Sequence, residues 1–312
     1  MRILYMGTPE LAATVLSYLL TGPYPIVGVV CQPDKKQGRG MRTSMPPVKE
    51  TALGAGIPVY QPESLKDLAL LPVLEELKPD IIVVVAYGKI LPSYILDFPP
   101  KGCVNLHASL LPFYRGAAPI QRAIMAGETV TGLSTMFLSE GMDEGDVIDK
   151  VEMPIGEDET AGELFDCMAK SGGPFLLETL HAIANGTAKA TPQDHAKATY
   201  APMLRSEDGH LPLARSAKEI YNHFRGVTPK PGAFSILNGK KVKIMEMKPL
   251  AEGIPENAKI GEVFLPGKGR LAVATGEGTA IEILILAPEG KKYMNATAFL
   301  NGRGAKPGDQ FA

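Results

Sequence analysis

Cysteine is scarce in this chain and tryptophan is absent. The 312 residues include three Cys (Cys31, Cys103 and Cys167) and no Trp. Three scattered thiols without a Cys-x-x-Cys pair exclude a disulfide framework and a zinc ribbon. We therefore expect a cytoplasmic protein in which each cysteine packs as a small core residue.

Long apolar runs are also missing. The longest run, from Ile81 to Ala86, is far shorter than the ~20 residues that a membrane-spanning helix requires. The chain reads as a strand from Arg2 onward, without the charged and apolar segments of a signal peptide. These patterns predict a soluble, intracellular protein that does not bind membranes.

Several motifs of common enzyme classes do not occur. The first strand-to-helix turn is Gly7-Thr8-Pro9-Glu10, which lacks the glycines of a dinucleotide-binding fingerprint, and no phosphate-binding GxxxxGK[ST] loop is present. Ser109 lacks the G-x-S-x-G context of a hydrolase nucleophile. No other histidine has the spacing of a metal ligand, so we predict no metal.

The first half of the sequence alternates between strand and helix patterns. Apolar, β-branched runs predict strands at 3–6, 26–31, 57–59, 80–86 and 103–107, and helical spacing predicts helices at 10–20, 49–55, 65–77 and 117–125. This rhythm is typical of an α/β fold with a doubly wound, mostly parallel sheet. Strand patterns at 131–138 and 147–153 predict an antiparallel addition, followed by a helix over 160–185.

The C-terminal third has a different pattern. A polar stretch, a helix at 216–224 and short strands at 233–237, 242–247, 260–264, 271–274 and 281–286 predict a small, OB-like β-barrel. We expect a catalytic domain at 1–189, a linker at 190–205 and a C-terminal domain at 206–312.

The net charge of -2 conceals an asymmetry. Residues 1–204 carry 16 Lys and Arg against 23 Asp and Glu, whereas residues 205–312 carry 16 against 11. A basic C-terminal region on an acidic body is compatible with a polyanionic partner and with ordinary surface variation.

The chemistry points to the end of the strand at 103–107. Asn105 and His107 alternate on this strand and project to the same side, at the edge where open α/β sheets bind ligands. Downstream, Asp143 lies in an acidic loop flanked by glycines. An Asn, a His and an Asp suit the attack of an amine on a carbonyl carbon. From spacing alone, His107 could equally be a structural histidine, and Asp143 could equally belong to a solvated turn.

A second unusual feature is the loop from Gln32 to Pro47. It is long for a connection between a strand and a helix, and it carries four cations that could follow a phosphate backbone. A solvated surface loop is the alternative. The four cations are Lys35, Lys36, Arg39 and Arg42.

Several motifs together resemble the folate-dependent formyltransferases. The pattern is similar to that of the members acting on methionyl-tRNA, and it runs from the first strand nearly to the C-terminus. The motifs are Met6-Gly7-Thr8-Pro9, Gln32-Pro33-Asp34, Gly38-Arg39-Gly40, Pro46-Pro47-Val48-Lys49, Val85-Ala86-Tyr87-Gly88-Lys89-Ile90-Leu91-Pro92, Asn105-Leu106-His107, Ser109-Leu110-Leu111-Pro112, Arg115-Gly116-Ala117-Ala118-Pro119-Ile120, Gly141-Met142-Asp143-Glu144-Gly145-Asp146 and Gly290-Lys291-Lys292.

The resemblance implies a Rossmann-like fold and a specific activity. The enzyme would transfer a formyl group from 10-formyltetrahydrofolate to the α-amino group of methionyl initiator tRNA, as a monomer, for translation initiation. It implies Asn105, His107 and Asp143 as the catalytic group. It also implies a folate site lined by Ser109, Leu110, Leu111 and Pro112, and tRNA binding by Lys35, Lys36, Arg39, Arg42 and the C-terminal domain.

Two further readings remain open. The same framework could formylate the amine of a sugar nucleotide, although such a substrate does not need a cationic loop. The protein could instead be a nucleic-acid-binding module that lost catalysis, against which the retained Asn105, His107 and Asp143 argue. Met203 and Lys230 depart from the family pattern near the predicted linker and in the C-terminal domain.

Overall fold

The chain divides into two compact units. The computed structural model describes residues 1–37 and 42–312, and of residues 36, 37, 42 and 43 it describes the backbone alone. Unit 1 comprises Met1–Pro119, Val130–Pro154 and Leu164–Pro202, and unit 2 comprises Ile120–Thr129, Ile155–Glu163 and Met203–Ala312. Two short stretches before residue 164 therefore belong with the C-terminal third.

Unit 1 is built on a seven-stranded sheet. Its strands are β1 (Ile3–Gly7), β2 (Ile26–Val30), β5 (Val59–Tyr60), β6 (Ile81–Val85), β7 (Cys103–His107), β8 (Val130–Phe137) and β9 (Val147–Pro154). The spatial order is β5-β2-β1-β6-β7-β8-β9. The first five strands are parallel, while β8 is antiparallel to both β7 and β9. The predicted doubly wound, mostly parallel sheet with an antiparallel addition is confirmed.

The winding of this sheet creates a ligand edge. From β1 the chain moves outward through β2 to β5, and it then returns to the other side of β1 at β6. All five residues of β6 and of β7 are buried, as expected for strands covered on both faces. Crevices of open α/β sheets form at the carboxyl ends of such strands, and β7 ends there with His107.

The long loop after β2 contains a short hairpin. Here β3 (Lys35–Gln37) and β4 (Arg42–Ser44) pair antiparallel to each other and belong to neither main sheet.

All six predicted helices are present, one of them only in its second half, and two further short helices were not predicted. The helices are α1 (Glu10–Leu19), α2 (Pro47–Gly54), α3 (Leu71–Leu77), α4 (Ser93–Leu96), α5 (Pro119–Ala126), α6 (Ala161–Ala184), α7 (Ala217–Val227) and α8 (Ala296–Asn301). The helix predicted over 65–77 is wrong in its first half, because Asp67 and Leu68 adopt positive φ values of 54° and 57°. Pro72 suits the first turn of a helix, so α3 begins only at Leu71.

Unit 2 contains a second, antiparallel sheet. Its strands are β10 (Phe234–Leu237), β11 (Lys240–Pro249), β12 (Val263–Phe264), β13 (Leu271–Ala274), β14 (Ala280–Pro288) and β15 (Met294–Asn295). The order is β10-β11-β14-β13-β12, with β15 beside β14. Near the C-terminus, Phe311 N donates to Gly261 O at 2.8 Å and Ala312 N donates to Ile236 O at 2.8 Å. The last residues thus join the β10 edge to residues next to β12.

The segment expected to be a linker is firmly bonded to unit 1. Thr191 and Val147 exchange two backbone hydrogen bonds of 2.8 and 2.9 Å, and Ala201 N donates to Arg115 O at 2.7 Å. Ala201 is fully buried, and Gln193 is only 8% exposed. This segment therefore packs as part of unit 1 up to Pro202, although most of its side chains are exposed.

Three smaller observations complete the fold. Cys31 and Cys103 are buried as expected, but Cys167 on α6 is exposed, so the expectation of a core position is wrong there. Within residues 1–37 and 42–312, no helix is long and apolar enough to cross a membrane. The same ranges contain no cluster of three His, Cys, Asp or Glu side chains arranged to hold a metal ion.

Candidate active site

Asn105 and His107 lie among the last three residues of strand β7. The register pairs Asn105 with Val84 of β6 on one side and with Met136 of β8 on the other. The side chains of Asn105 and His107 are 8% and 6% exposed. Because the strand is extended, both residues face the same side of the sheet at its ligand edge.

Both ring nitrogens of His107 face oxygen atoms. Nε2 lies 3.0 Å from the carbonyl oxygen of Tyr114, and Nδ1 lies 3.7 Å from Asp143 Oδ2. A carbonyl only accepts hydrogen bonds, so Nε2 must carry a proton. A carboxylate oxygen thus faces Nδ1 while a carbonyl oxygen fixes Nε2, and the two contacts orient the ring.

Asp143 is held by the backbone of a neighbouring loop. Its Oδ2 accepts a hydrogen bond of 2.7 Å from Gly116 N. Gly116 has φ +116°, and a Cβ at this position would lie 2.8 Å from Ala201 O. Only glycine allows this N–H to reach the carboxylate while the chain passes so close to Ala201. This backbone donor leaves the carboxylate facing His107.

The carboxamide of Asn105 makes no hydrogen bond within the described residues. The residue is 8% exposed, but its amide atoms are not among the fully buried atoms that lack a partner, so they remain accessible. Its amide group is thus free to donate to a bound molecule beside His107 and Asp143. A neutral donor at this position can stabilise an oxyanion.

The segment from Ser109 to Pro112 forms a braced turn next to β7. Ser109 and Leu111 are fully buried, whereas Leu110 and Pro112 are half-buried. Ser134 Oγ donates to Ser109 O at 2.6 Å and accepts from Leu111 N at 3.1 Å. Lys150 Nζ also donates to Leu111 O. Ser109 and Leu111 therefore support the turn, and Leu110 and Pro112 are the members that a ligand can reach.

The cationic loop is anchored at its base. Lys49 Nζ contacts both oxygens of Asp34 at 2.8 and 2.9 Å, and Gln61 Nε2 donates to Asp34 Oδ1 at 2.7 Å. Hydrogen bonds from Gln61 and Lys49 hold the pKa of the Asp34 carboxyl below its ordinary value. This cluster ties the start of the loop, before β3, to the first turns of α2.

The structure describes the four cations of the loop to different extents. Lys35 is exposed at the start of β3. Lys36 lies in β3 and Arg42 begins β4, but their side chains are outside the description, and Arg39 lies outside the described residues altogether. Their contribution to tRNA binding stays a prediction.

Two residues next to Asp143 were not anticipated. Arg115 is 1% exposed and directs its guanidinium to Gln193 Oε1 and, at 3.5 Å, to Glu144. Arg115 appears in the motif that resembles the family, so a role for it could have been suspected. Gln193 lies in the expected linker, where nothing in the sequence distinguishes it.

Known proteins with similar sequences agree on one family. The formyl transferase family matches residues 1–180, and the formyl transferase C-terminal domain matches residues 203–304. The methionyl-tRNA formyltransferase of Acidobacterium capsulatum is 49% identical over 308 residues, covering 98% of each chain. That of Desulforamulus reducens is 47% identical, covering 99% of this chain and 96% of the other.

Solved structures share the fold at low identity. A sugar 3N-formyl transferase crystallised with dTDP and 5-N-formyl-THF matches with a TM-score of 0.68 and 18% identity, covering 94% of this chain and 99% of that one. An N-formyltransferase from Helicobacter canadensis, in complex with folinic acid and dTDP-3-aminofucose, has a TM-score of 0.67 and 19% identity, covering 90% and 98%. On sequence identity and family coverage, the chain belongs to the formyl transferase family and, within it, to the methionyl-tRNA formyltransferases.

Proposed function

We propose that this enzyme transfers the formyl group of 10-formyltetrahydrofolate to the α-amino group of methionyl initiator tRNA, with Asn105, His107 and Asp143 as its catalytic group. The observation that carries the proposal is the accessible Asn105 carboxamide, which has no partner among the described residues, beside His107 and Asp143. A hydrogen-bond donor, a cation and a carboxylate at one strand end are the groups that acyl transfer to an amine requires.

The proposed reaction proceeds through a tetrahedral intermediate. The neutral amine attacks the formyl carbon, a C–N bond forms, and the carbonyl electron pair moves to oxygen. Asn105 donates to this oxyanion, and the charge of protonated His107 stabilises it further. Asp143 orients His107 and assists the transfer of the proton lost by the amine to N10 of the folate. The carbonyl then re-forms, and the bond between the formyl carbon and N10 breaks. The products are the formamide on the aminoacyl-tRNA and tetrahydrofolate.

The folate is proposed to bind along the braced turn from Ser109 to Pro112. This turn follows directly after His107, which would place the formyl carbon near the catalytic group. Ser109 and Leu111 would hold the turn, and Leu110 and Pro112 would contact the ligand. The folate compounds named with the two similar crystal structures support a folate site on this fold.

The tRNA is proposed to bind through two basic regions. Lys35, Lys36, Arg39 and Arg42 would contact the acceptor stem. The C-terminal domain, at 206–312 and of OB-like type, would contact the tRNA body, which is consistent with the excess of Lys and Arg after residue 204. The catalytic domain would extend over 1–189 and the intervening 190–205 would connect the two, in a cytoplasmic monomer.

A three-substrate assay tests this function. Purified protein would be incubated with 10-formyltetrahydrofolate and, in parallel, Met-tRNA, uncharged tRNA and an amino-sugar nucleotide. We expect formylation of Met-tRNA alone, detected as formylmethionine released when mild base hydrolyses its ester bond to the tRNA. Formylation of the sugar alone would overturn the tRNA assignment, and binding of tRNA without any transfer would favour a module that lost catalysis.

A further inference from the structure

Gln193 contacts the loop that carries Asp143. Its Nε2 donates to the carbonyl oxygen of Asp143 at 2.9 Å and to that of Gly145 at 2.7 Å. The two acceptor carbonyls belong to the residues on either side of Glu144. One carboxamide therefore holds the backbone of this loop on both sides of a single residue.

Arg115 determines which way this carboxamide faces. Arg115 Nε and Nη2 lie 3.2 and 2.8 Å from Gln193 Oε1, and a guanidinium only donates hydrogen bonds. The oxygen of Gln193 must therefore face Arg115, and both amide hydrogens must face the loop carbonyls. Arg115 is 1% and Gln193 is 8% exposed, so water competes little for these bonds.

The chain around Gln193 is itself fixed at two points. Thr191 exchanges backbone hydrogen bonds with Val147, just after the Asp143 loop. Thr199 O accepts from Arg115 N at 2.9 Å, and Ala201 N donates to Arg115 O at 2.7 Å. The segment cannot move relative to the loop without breaking these pairs.

The loop needs such support because of its geometry. Asp143 has φ +53°, a left-handed conformation that a non-glycine residue adopts only when its surroundings hold it there. Its carboxylate lies 3.7 Å from His107 Nδ1, so a small displacement would change their interaction strongly.

We propose that Gln193, oriented by Arg115, is a positioning residue that sets the Asp143 carboxylate against His107. This inference rests on the proposed catalytic role of Asp143 and His107. Gln193 touches neither the reacting atoms nor the side chain of Asp143. It acts on the backbone of the loop.

The sharpest test is the isosteric variant Gln193→Glu. Glutamate keeps the shape and the acceptor for Arg115, but it replaces both donors to the loop with a carboxylate oxygen. We expect kcat to fall about 10- to 100-fold, because misplacing a catalytic group by about 1 Å costs on this order. We expect the KM values for 10-formyltetrahydrofolate and Met-tRNA to stay within about twofold.

A matched control lies at the next position. Asp194 is 52% exposed and caps a short helical turn through Ala196 N, a role that Asn performs equally well. Asp194→Asn should retain kcat, and thermal unfolding of both variants would establish that they are folded. Gln193→Ala removes the donors without adding charge, so it serves as the second variant if Gln193→Glu does not fold.

A double-mutant cycle separates positioning from mere stability. If Gln193 acts through Asp143, then Gln193→Glu should cost little additional kcat in an Asp143→Asn background. The imidazole resonances of His107, assigned by their loss in His107→Ala, should shift in Gln193→Glu at constant pH.

Two results would overturn the inference. One is a folded Gln193→Glu enzyme with kcat within about threefold of the parent. The other is an equal loss in both backgrounds. If Asp143→Asn alone were fully active, the proposed catalytic group would fail instead, and the two failures are therefore distinguishable.

Discussion

Each ring nitrogen of His107 has an oxygen atom as its neighbour. Its Nε2 faces the Tyr114 carbonyl and its Nδ1 faces Asp143, so the ring is fixed in orientation. Asn105, by contrast, has no partner among the described residues. These surroundings accord with the proposed division of roles, in which Asn105 is the direct donor to substrate and His107 is the oriented group beside it.

Removing either member of the charged pair should abolish most activity. We expect His107→Ala and Asp143→Asn each to lower turnover at least ~100-fold, the low end for positioned acid–base groups. Single-turnover formylation of Met-tRNA measures this effect. His181→Ala, an exposed histidine that contacts Tyr24, is the matched control and should be nearly unaffected. Near-normal turnover in either active-site variant would contradict the assignment.

At the scale of elements, the strands behind the site hold its loops. The braced turn from Ser109 to Pro112 depends on β8 and β9, because Ser134 and Lys150 bond to its backbone. The cationic loop is likewise anchored by hydrogen bonds, which Lys49 and Gln61 donate to Asp34 at its base. Both loops thus have fixed bases.

Ser134→Ala tests the brace on the turn. Ser134 is fully buried, and its loss leaves the Ser109 carbonyl and the Leu111 N–H without this partner. We expect a destabilisation of about 1–3 kcal/mol. We also expect a higher KM for 10-formyltetrahydrofolate and an unchanged KM for Met-tRNA. Ser139→Ala, at an exposed position, is the control; equal folate KM values would count against the proposed folate site.

The sheet of unit 2 contains an ion pair with a buried carboxylate, which predicts a pH dependence. Glu282 on β14 is 4% exposed and receives two hydrogen bonds of 2.7 Å from Arg270. These bonds, together with the nearby charges of Arg270 and Lys248, hold the pKa of the Glu282 carboxyl below its ordinary value of 4.5. Because this pKa is lower in the folded state, the stabilisation is complete above pH ~4.5 and is lost as the pH falls through the folded-state value.

Glu282→Gln should therefore be destabilising in a pH-dependent manner. At pH 7 we expect a loss of about 1–2 kcal/mol in the free energy of unfolding, since one charged hydrogen-bond acceptor is removed and Arg270 is partly exposed. The difference from the parent should shrink below pH ~4.5. Urea unfolding at several pH values measures it, with exposed Glu289→Gln as the control. A difference that does not change with pH would contradict this role.

At the scale of the whole molecule, charge is distributed unevenly along the chain. The acidic residues predominate before residue 204 and the basic residues after it, and the cationic loop is an exception within the acidic part. A polyanionic substrate would release counterions from its backbone when it binds such regions, so its affinity should fall steeply with salt.

Neutralising the cationic loop should reduce that salt dependence. For the variant in which Lys35, Lys36, Arg39 and Arg42 become Met, we expect weaker Met-tRNA binding at low salt. The log–log slope against salt should be less steep by about one unit for each lost phosphate contact. A control carries four exposed lysines of unit 1 changed to Met, namely Lys66, Lys170, Lys189 and Lys197. Equal slopes in the two variants would contradict a role of the loop in tRNA binding.

Much of this protein could be predicted from local patterns. The strand runs, the helix starts after proline and the position of Asn105 and His107 at a strand end depend on residues close together in the chain. The prediction of a helix over 65–77 was wrong in its first half, because the backbone at Asp67 and Leu68 is left-handed. Hydrophobic spacing does not reveal such a conformation. The motifs that indicate the family are likewise contiguous, so they are readable without a structure.

The tertiary structure decided what depends on distant contacts. The polar segment after residue 186 looks like a linker in the sequence. In the fold it supplies Gln193 to the loop of Asp143, 50 residues earlier in the chain. Likewise, only the fold shows that Gly116 N reaches Asp143 and that Asn105 is left unpaired. Sequence patterns report which residues share a face, whereas the partner of a buried polar group is set by the chain that packs against it.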